Sequence, residues 1–269
     1  MTTIIKVGGG IVEDAASLDR LLNDFSFVSG AKILVHGGGR SATRMASQLG
    51  IESHMVNGRR VTDAEMLRVV TMVYAGLVNK NIVANLQARQ INALGLTGAD
   101  GNYLQAHRRP PVSIVNTETQ EKETVDYGFV GDVDCCNASL LLSLIQQDVV
   151  PVLAPLTHDG KGSLLNTNAD TIASTTATAL AQAGEETTLI YCFEKAGVLR
   201  DADDDNSVIP HITSADFPQL VKEGIIQGGM IPKIENALAA CRAGVKRVII
   251  THANNLSQPE KGTVITLTT

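Results

Sequence analysis

The sequence predicts an α/β fold in which a mainly parallel sheet is covered on both faces by helices. Two observations carry that expectation. Short apolar runs alternate with amphipathic helical stretches along the whole chain, the pattern of repeated strand–helix–strand units. The first two apolar runs each lead into three consecutive glycines, Gly8-Gly9-Gly10 and Gly37-Gly38-Gly39, where one glycine would suffice for a turn. In such sheets ligands bind at the C-terminal ends of strands, near helix N-termini.

Residues 4–7 form a short apolar strand interrupted by Lys6. Residues 14–27 read as a helix, with Leu18, Leu21, Leu22 and Phe25 at helical spacing. Residues 33–35 are a second buried strand leading into His36, and 41–49 a helix. Thr62-Asp63 is an N-cap signal before a helical stretch from Ala64 to about Leu94, which Asn81 and Asn85 allow to be two helices. Residues 102–134 are polar and proline-containing, with alternating Thr124-Val125-Asp126-Tyr127, and read as hairpins. Asn137 caps a helix to Ile145, 149–153 is a strand, and Asp159-Gly160-Lys161-Gly162 is a turn between short strands. A helix from Asn168 or Asp170 runs to about Ala183. Residues 188–193 are a strand, 213–223 and 229–243 helices, and 246–251 and 263–268 closing strands.

The 269 residues are 44% hydrophobic and 19% charged, as in folded globular proteins, and the length suits one large domain or two lobes. A net charge of −6 argues against broad nucleic-acid or anionic-membrane binding. Five Phe, four Tyr and no Trp leave few faces for stacking bases or sugars. Cys135, Cys136, Cys192 and Cys241 form no CxxC and no zinc-ligand spacing. The N-terminus lacks a basic segment followed by an apolar one. The most apolar stretch, 140–156, is broken by Gln146, Gln147, Asp148, Pro151 and Pro155, so neither a secretory signal nor a membrane span is expected. A cytoplasmic, thiol-reduced enzyme with no nucleic-acid or membrane partner is the expected class.

The candidate chemistry sits at the strand ends. Gly37-Gly38-Gly39 lies between a strand and a helix, where bare backbone N–H groups and the helix dipole favour an anion; the alternative is a tight turn. Lys6 is a cation in an apolar strand, and beside Gly8 and Gly9 it suits phosphate. No Walker A sequence is present, since Gly160-Lys161-Gly162 lacks the earlier glycine and the Ser/Thr. Arg60 in Asn57-Gly58-Arg59-Arg60-Val61-Thr62 suits a carboxylate clamp, with Arg59 the competing choice. Asn166-Thr167-Asn168-Ala169-Asp170 holds more polar side chains than one helix cap needs. Lys233 sits in the first turn of a helix, where a cation opposes the dipole unless an anion partners it. His36 reads either as catalytic or as a packed, hydrogen-bonded histidine. Asp201, Asp203, Asp204 and Asp205 lack the EF-hand pattern and read as a solvated loop.

These motifs, in order, resemble the amino acid kinase family over nearly the whole chain: Ile5-Lys6-Val7-Gly8-Gly9, Val35-His36-Gly37-Gly38-Gly39, Asn57-Gly58-Arg59-Arg60-Val61-Thr62, Gly128-Phe129-Val130-Gly131, Asn166-Thr167-Asn168-Ala169-Asp170 and Gly228-Gly229-Met230-Ile231-Pro232-Lys233. The resemblance implies an open, mainly parallel sheet in an α/β/α sandwich. It implies an acylglutamate-binding and dimerising lobe over residues 1–184 and an ATP lobe over 185–269, on one continuous sheet. It implies ATP-dependent phosphorylation of the γ-carboxylate of N-acetyl-L-glutamate in arginine biosynthesis, or of another N-acylglutamate such as N-succinyl-L-glutamate.

By the same resemblance Lys6 and Lys233 stabilise the transferring phosphoryl group and Asp170 holds them. Gly38, Gly39, Arg60 and Asn166 meet the acylglutamate. Gly8, Gly9, Gly229 and Met230 meet the nucleotide, and Mg²⁺ is held mainly by ATP phosphates rather than by a protein metal site. Two departures stand out. Phe193-Glu194-Lys195-Ala196-Gly197-Val198-Leu199 replaces the family's Ser/Thr-Asp-Val-x-Gly segment, and Arg59 replaces an apolar residue. Arginine-inhibited relatives carry an extra N-terminal helix, whereas this strand starts near Thr3, so an arginine-insensitive homodimer built around the helix after Thr62 is expected. Two other functions compete. Gly37-x-Gly39-x-x-Ala42 fits a loose dinucleotide fingerprint, but no acidic ribose ligand follows it. A non-catalytic amino-acid sensor is disfavoured by Lys6, Asp170 and Lys233 together.

Overall fold

The structure is a computed structural model and describes residues 1–115, 122–201 and 203–267. The chain begins β1 (Thr2–Val7), α1 (Gly9–Glu13), α2 (Ala15–Ser26), β2 (Ala31–His36), α3 (Gly39–Gln48), β3 (Met55–Val56) and β4 (Arg59–Arg60). Next come α4 (Ala64–Val70), a π-helical segment (Thr71–Val78), α5 (Asn79–Ala88), β5 (Ala93–Leu96), β6 (Leu104–Arg108), β7 (Val112–Val115), β8 (Lys122–Val125) and β9 (Gly131–Cys136). Then follow α6 (Ala138–Gln146), β10 (Val150–Leu153), β11 (Leu156–His158), β12 (Leu164–Asn166), α7 (Ala169–Gln182) and β13 (Thr187–Phe193). The chain closes with β14 (His211–Thr213), α8 (Phe217–Lys222), α9 (Met230–Arg242), β15 (Arg247–His252) and β16 (Thr263–Thr266).

The main sheet has the order β14-β16-β15-β13-β1-β2-β10-β5. Its neighbours are parallel except β15 and β16, which are antiparallel. β1 is paired along all six residues with β13 on one side and β2 on the other, so every residue of β1 is buried. The sheet therefore runs unbroken across residue 184.

Successive residues of a strand point to opposite faces. Ile5 and Val7 join the core under α2, α3 and the long helix from Ala64, with Leu22, Phe25, Ala42 and Met66. Ile4 joins the core under α6, α7 and α9, with Leu141, Ile172, Ala173, Ile234 and Leu238. This is the expected α/β/α sandwich. It also decides where Lys6 points: two residues from Ile4, it faces α7 and α9, the helices that carry Asp170 and Lys233.

Several boundaries differ from the sequence expectation. The triple glycine after β1 is already helical from Gly9. Helix continues without a break from Ala64 to Ala88, through a π-helical segment at Thr71–Val78 and past Asn81 and Asn85, which lie in regular α5; Leu94 belongs to β5. Thr213 ends β14, and α8 starts only at Phe217, after a turn in which Thr213 N and Oγ1 donate to the Asp216 carboxylate. Within residues 102–134, β7 and β8 form a hairpin, while β6 and β9 pair with each other. The expected strand end at Thr268 and the hairpin position Glu121 lie outside the described residues.

The sequence puts its most apolar stretch at 140–156, yet among the described residues the helix long and apolar enough to cross a membrane by length and composition is Ala64–Ala88. Its inner face, including Met66, Val69, Val70, Val73, Ile82 and Leu86, is part of the core, as in the buried helix of a globular protein.

Candidate active site

The two glycine turns meet backbone to backbone at the C-terminal ends of β1 and β2. Gly37 N–H donates to Val7 O at 3.0 Å. A β-carbon on Gly37 would stand 3.1 Å from Gly9 N, and one on Gly9 would stand 3.5 Å from Gly38 N. The absence of side chains is what allows the turns to close and leaves N–H groups bare. The His36 ring buttresses this closure from below. It is fully buried, and burial drives its pKa down to about 4, keeping the ring neutral. Nδ1 donates to Gly37 O at 2.7 Å, so Nε2 accepts from Asn79 Nδ2 at 3.1 Å. His36 is thus the packed, hydrogen-bonded histidine of the two options.

Lys6 is 7% exposed, and its ammonium stands 2.8 Å from Asp170 Oδ1. Each polar residue of the 166–170 segment has its own task. Asn166 Nδ2 donates to Thr62 Oγ1 at 3.0 Å, and Thr167 bonds Thr157. Asn168 caps α7 by accepting from Asp170 N and Thr171 N, which frees the Asp170 carboxylate for Lys6. Lys233 reaches the same place from α9. It shares a small cavity with Asp170, Tyr191 and Phe193, but among the described residues it has no ion pair. Its ammonium lies instead 4.2 Å from the centroid of the Phe193 ring. The Lys6 ammonium is 5.1 Å from that centroid. Asp170 therefore holds one of the two lysines here, and one aromatic ring gathers both.

Two cavities of about 200 and 420 Å³ flank the glycine turns. Gly39 lines both. The smaller is lined by Gly37, Gly38, Arg59, Arg60, Tyr74, Val130 and Asn166, among others. Arg60 is buried and locked: it donates to Gly39 O and Thr43 Oγ1, both at 2.8 Å, and to Ser53 Oγ. Arg59 is the freer guanidinium. Partial burial, and then the nearby Arg109 charge, push its pKa down. Arg109 is itself spoken for by Asp132, whose carboxyl it holds below the usual range through their hydrogen bonds.

Backbone bonds sew three separate motifs into this wall. Thr62 N donates to Tyr127 O, Phe129 N to Thr62 O, and Asn166 N to Phe129 O. Gly128 is the hinge of that seam, with φ +70 and a would-be β-carbon only 2.2 Å from Thr62 O.

The larger cavity is lined by Gly8, Gly9, Gly10, Arg40, Phe193, Glu194, Lys195, Met230 and Lys233, among others. Gly229, expected beside Met230, is exposed and does not line it, because α9 begins one residue later and Gly229 forms its N-cap. Among the described residues no group of three His, Cys, Asp or Glu is placed to hold a metal. Asp201, Asp203, Asp204 and Asp205 are exposed, and Asp201 and Asp204 accept from backbone N–H groups two residues on. Sequence reasoning missed Tyr74, Thr43, Arg40 and the gathering role of Phe193. The signal for Phe193 was present, since it is one of nine aromatics and stands at the functional end of a strand.

Residues 1–252 match the model of the Amino acid kinase family. The acetylglutamate kinase of Phocaeicola vulgatus is 62% identical over 263 residues, 98% of this chain and 97% of that protein. The acetylglutamate kinase of Bacteroides thetaiotaomicron is 63% identical over 258 residues, 96% of each. That of Methanopyrus kandleri is 41% identical, covering 97% of this chain and 99% of the relative. Among solved structures, smu.665 from Streptococcus mutans superposes with a TM-score of 0.75 at 27% identity, over 98% of both chains. N-acetylglutamate synthase from Neisseria gonorrhoeae, complexed with coenzyme A and N-acetyl-glutamate, reaches 0.77 at 23% identity over 98% of this chain and 59% of that one, a likeness of fold. With family match, full-length relatives and fold in agreement, the chain belongs to the amino acid kinase family.

Proposed function

We propose that the protein transfers the γ-phosphoryl group of ATP to the γ-carboxylate of N-acetyl-L-glutamate, an early step of arginine biosynthesis. Full-length relatives named acetylglutamate kinase support the substrate. The observation that carries the chemistry is the pair of cavities meeting at Gly39, with Lys6 and Lys233 gathered on Phe193 beside them. The smaller cavity takes the acylglutamate through Gly38, Gly39, Arg60 and Asn166. The larger takes ATP against Gly8, Gly9 and Met230, and bare glycine N–H groups fit its phosphates.

A γ-carboxylate has an ordinary pKa of about 4.3 and is ionised at neutral pH, so the nucleophile needs no general base. A carboxylate oxygen attacks the γ-phosphorus, the bond to the bridging oxygen breaks, and ADP leaves with that electron pair. The barrier to approach is anion–anion repulsion, about 4 kcal/mol for one charge pair at ~4 Å and an effective dielectric of 20. Lys6, Lys233 and the glycine N–H groups offset it, with Asp170 orienting Lys6, and catalysis is positioning and charge stabilisation. Mg²⁺ is carried on the nucleotide phosphates and neutralises part of their charge.

On this reading residues 1–184 form the acylglutamate and dimerising lobe and 185–269 the ATP lobe. The four free thiols suit a reducing cytoplasm. The outer face of the helix Ala64–Ala88 leaves Met72 and Leu77 54% and 49% exposed, which supports a homodimer across that face. Light scattering of the intact chain is expected to give a dimer, and Leu77→Asp a monomer; a hexamer, or inhibition by arginine, counts against the arrangement.

A second reading is N-succinyl-L-glutamate as substrate. Its specific support is Arg59, a second guanidinium lining the acylglutamate cavity and able to meet an added carboxylate. An ADP-release assay with N-acetyl- and N-succinyl-L-glutamate decides. ADP release with neither acylglutamate refutes the kinase reading, and a higher kcat/KM on the succinyl substrate replaces the first acyl group by the second.

A further inference from the structure

We infer that Arg40 is a phosphate-binding residue of the nucleotide cleft, held by Glu194 in the free protein and transferred to the polyphosphate when a nucleotide binds. The inference rests on the ATP reading of the larger cavity. Both side chains line that cavity and approach from opposite sides, Arg40 from the first turn of α3 and Glu194 from the residue after β13. Their ion pair, at 3.5 Å, spans the glycine turn. A β-carbon on Gly10 would stand 2.6 Å from Glu194 Oε1 and 2.9 Å from Arg40 Nη1.

Arg40 is badly placed for helix stability. A cation in the first turn opposes the helix dipole, and α3 has no acidic residue there to offset it. Its partner comes from across the cleft, and the pair is open to water, with side chains 68% and 71% exposed. Such pairs contribute little and exchange readily. Among the described residues Glu194 is the one acidic side chain lining the cavity, so a polyphosphate entering would be repelled unless the cation beside it is available. The other lysine at that rim, Lys195, is engaged by Asp205 at 2.9 Å. Arg40 therefore reaches the glycine turn at Gly10, and its planar fork matches phosphate oxygens two at a time. Since it enters from the glycine side, it meets phosphates rather than the base.

The rival is a structural clasp, in which Arg40 and Glu194 matter only to each other. Calorimetric titration of ATP, ADP and AMP into the intact chain, without acylglutamate, separates the two. Arg40→Ala is expected to weaken ATP and ADP about tenfold and AMP less than about twofold. Arg40→Lys recovers part of the loss. Glu194→Gln leaves ATP binding as tight or tighter, and the double variant behaves like Arg40→Ala. Equal losses for AMP and ATP, an ATP loss in Glu194→Gln matching that in Arg40→Ala, or no loss in Arg40→Ala each overturn the inference while leaving the ATP reading intact. No adenine-nucleotide binding by the unsubstituted chain overturns the ATP reading and the inference with it.

Discussion

The Lys6 ammonium and the Asp170 carboxylate stand 2.8 Å apart at the centre of the sheet, where the other five residues of β1 carry no charge. A lysine that deep persists only with a partner. The Asp170 side chain, 33% exposed, remains open towards the small cavity it shares with Lys233. Asp170→Asn keeps the shape and removes the charge. Turnover is expected to fall at least about tenfold and stability by about 1–3 kcal/mol, measured by steady-state kinetics and urea unfolding. With Asp170 orienting a cation and accepting no proton, as proposed, the pH–rate profile is expected to keep its shape between about pH 6 and 8. Disappearance in the variant of an acid limb, the side on which activity rises with pH, would reassign Asp170 as a proton acceptor.

Phe193 brings the two ammonium groups to one ring, at 5.1 and 4.2 Å from its centroid, and Tyr191 stacks beside it at 5.9 Å. A ring face is worth about 0.5–2 kcal/mol to a nearby cation. Phe193→Leu preserves apolar bulk and removes that face. The expected result is a kcat several-fold lower, an unchanged KM for acylglutamate, and recovery in Phe193→Tyr. Lys233→Ala removes the cation itself and costs more. A leucine variant with full kcat would reduce Phe193 to packing.

The parts of the site legible in the sequence are those where local chemistry conflicts with local structure. Lys6 in an apolar strand, Lys233 in a helix first turn and glycines beyond a turn's need each break a local rule, and each lies at or beside the two cavities. Strand–helix alternation likewise gave the sandwich, because period alone assigns buried faces. The rest depends on partners distant in sequence. No local pattern tells that Gly128 sews Thr62 to Asn166, or that Arg40 faces Glu194 across 154 residues. The antiparallel β16 and the π-helical turn at Thr71–Val78 are set by tertiary packing, which overrides propensity.

Gly128 tests that seam. A β-carbon there would lie 2.2 Å from Thr62 O, with φ at +70, so Gly128→Ala meets both a clash and a strained backbone. A loss of about 1–3 kcal/mol is expected, together with a raised KM for acylglutamate, since Thr62 and Asn166 move with it. KM for ATP should hold, because the larger cavity shares no part of the seam. Equal increases in both KM values would show a global disturbance instead.

His36 makes stability fall in acid. Its folded pKa, about 4, lies below the unfolded value of about 6.5. Between those values the unfolded chain binds a proton that the folded chain refuses, so stability rises with pH across that window and is flat, for this group, on either side. The full contribution is about 3 kcal/mol at most. Because the neutral ring donates to Gly37 O and accepts from Asn79, protonation removes the acceptor and loosens the glycine turn as well as the core. His36→Gln cannot titrate, so urea unfolding of that variant should show a slope between about pH 4 and 6.5 shallower than that of the unsubstituted chain, even if it is less stable at pH 7. Parallel curves for the two proteins over this range would show that His36 does not set the acid sensitivity there; the paired carboxylates Asp132 and Asp126, whose pKa values are lowered, lose their stabilisation only below the ordinary carboxylate range of about 4.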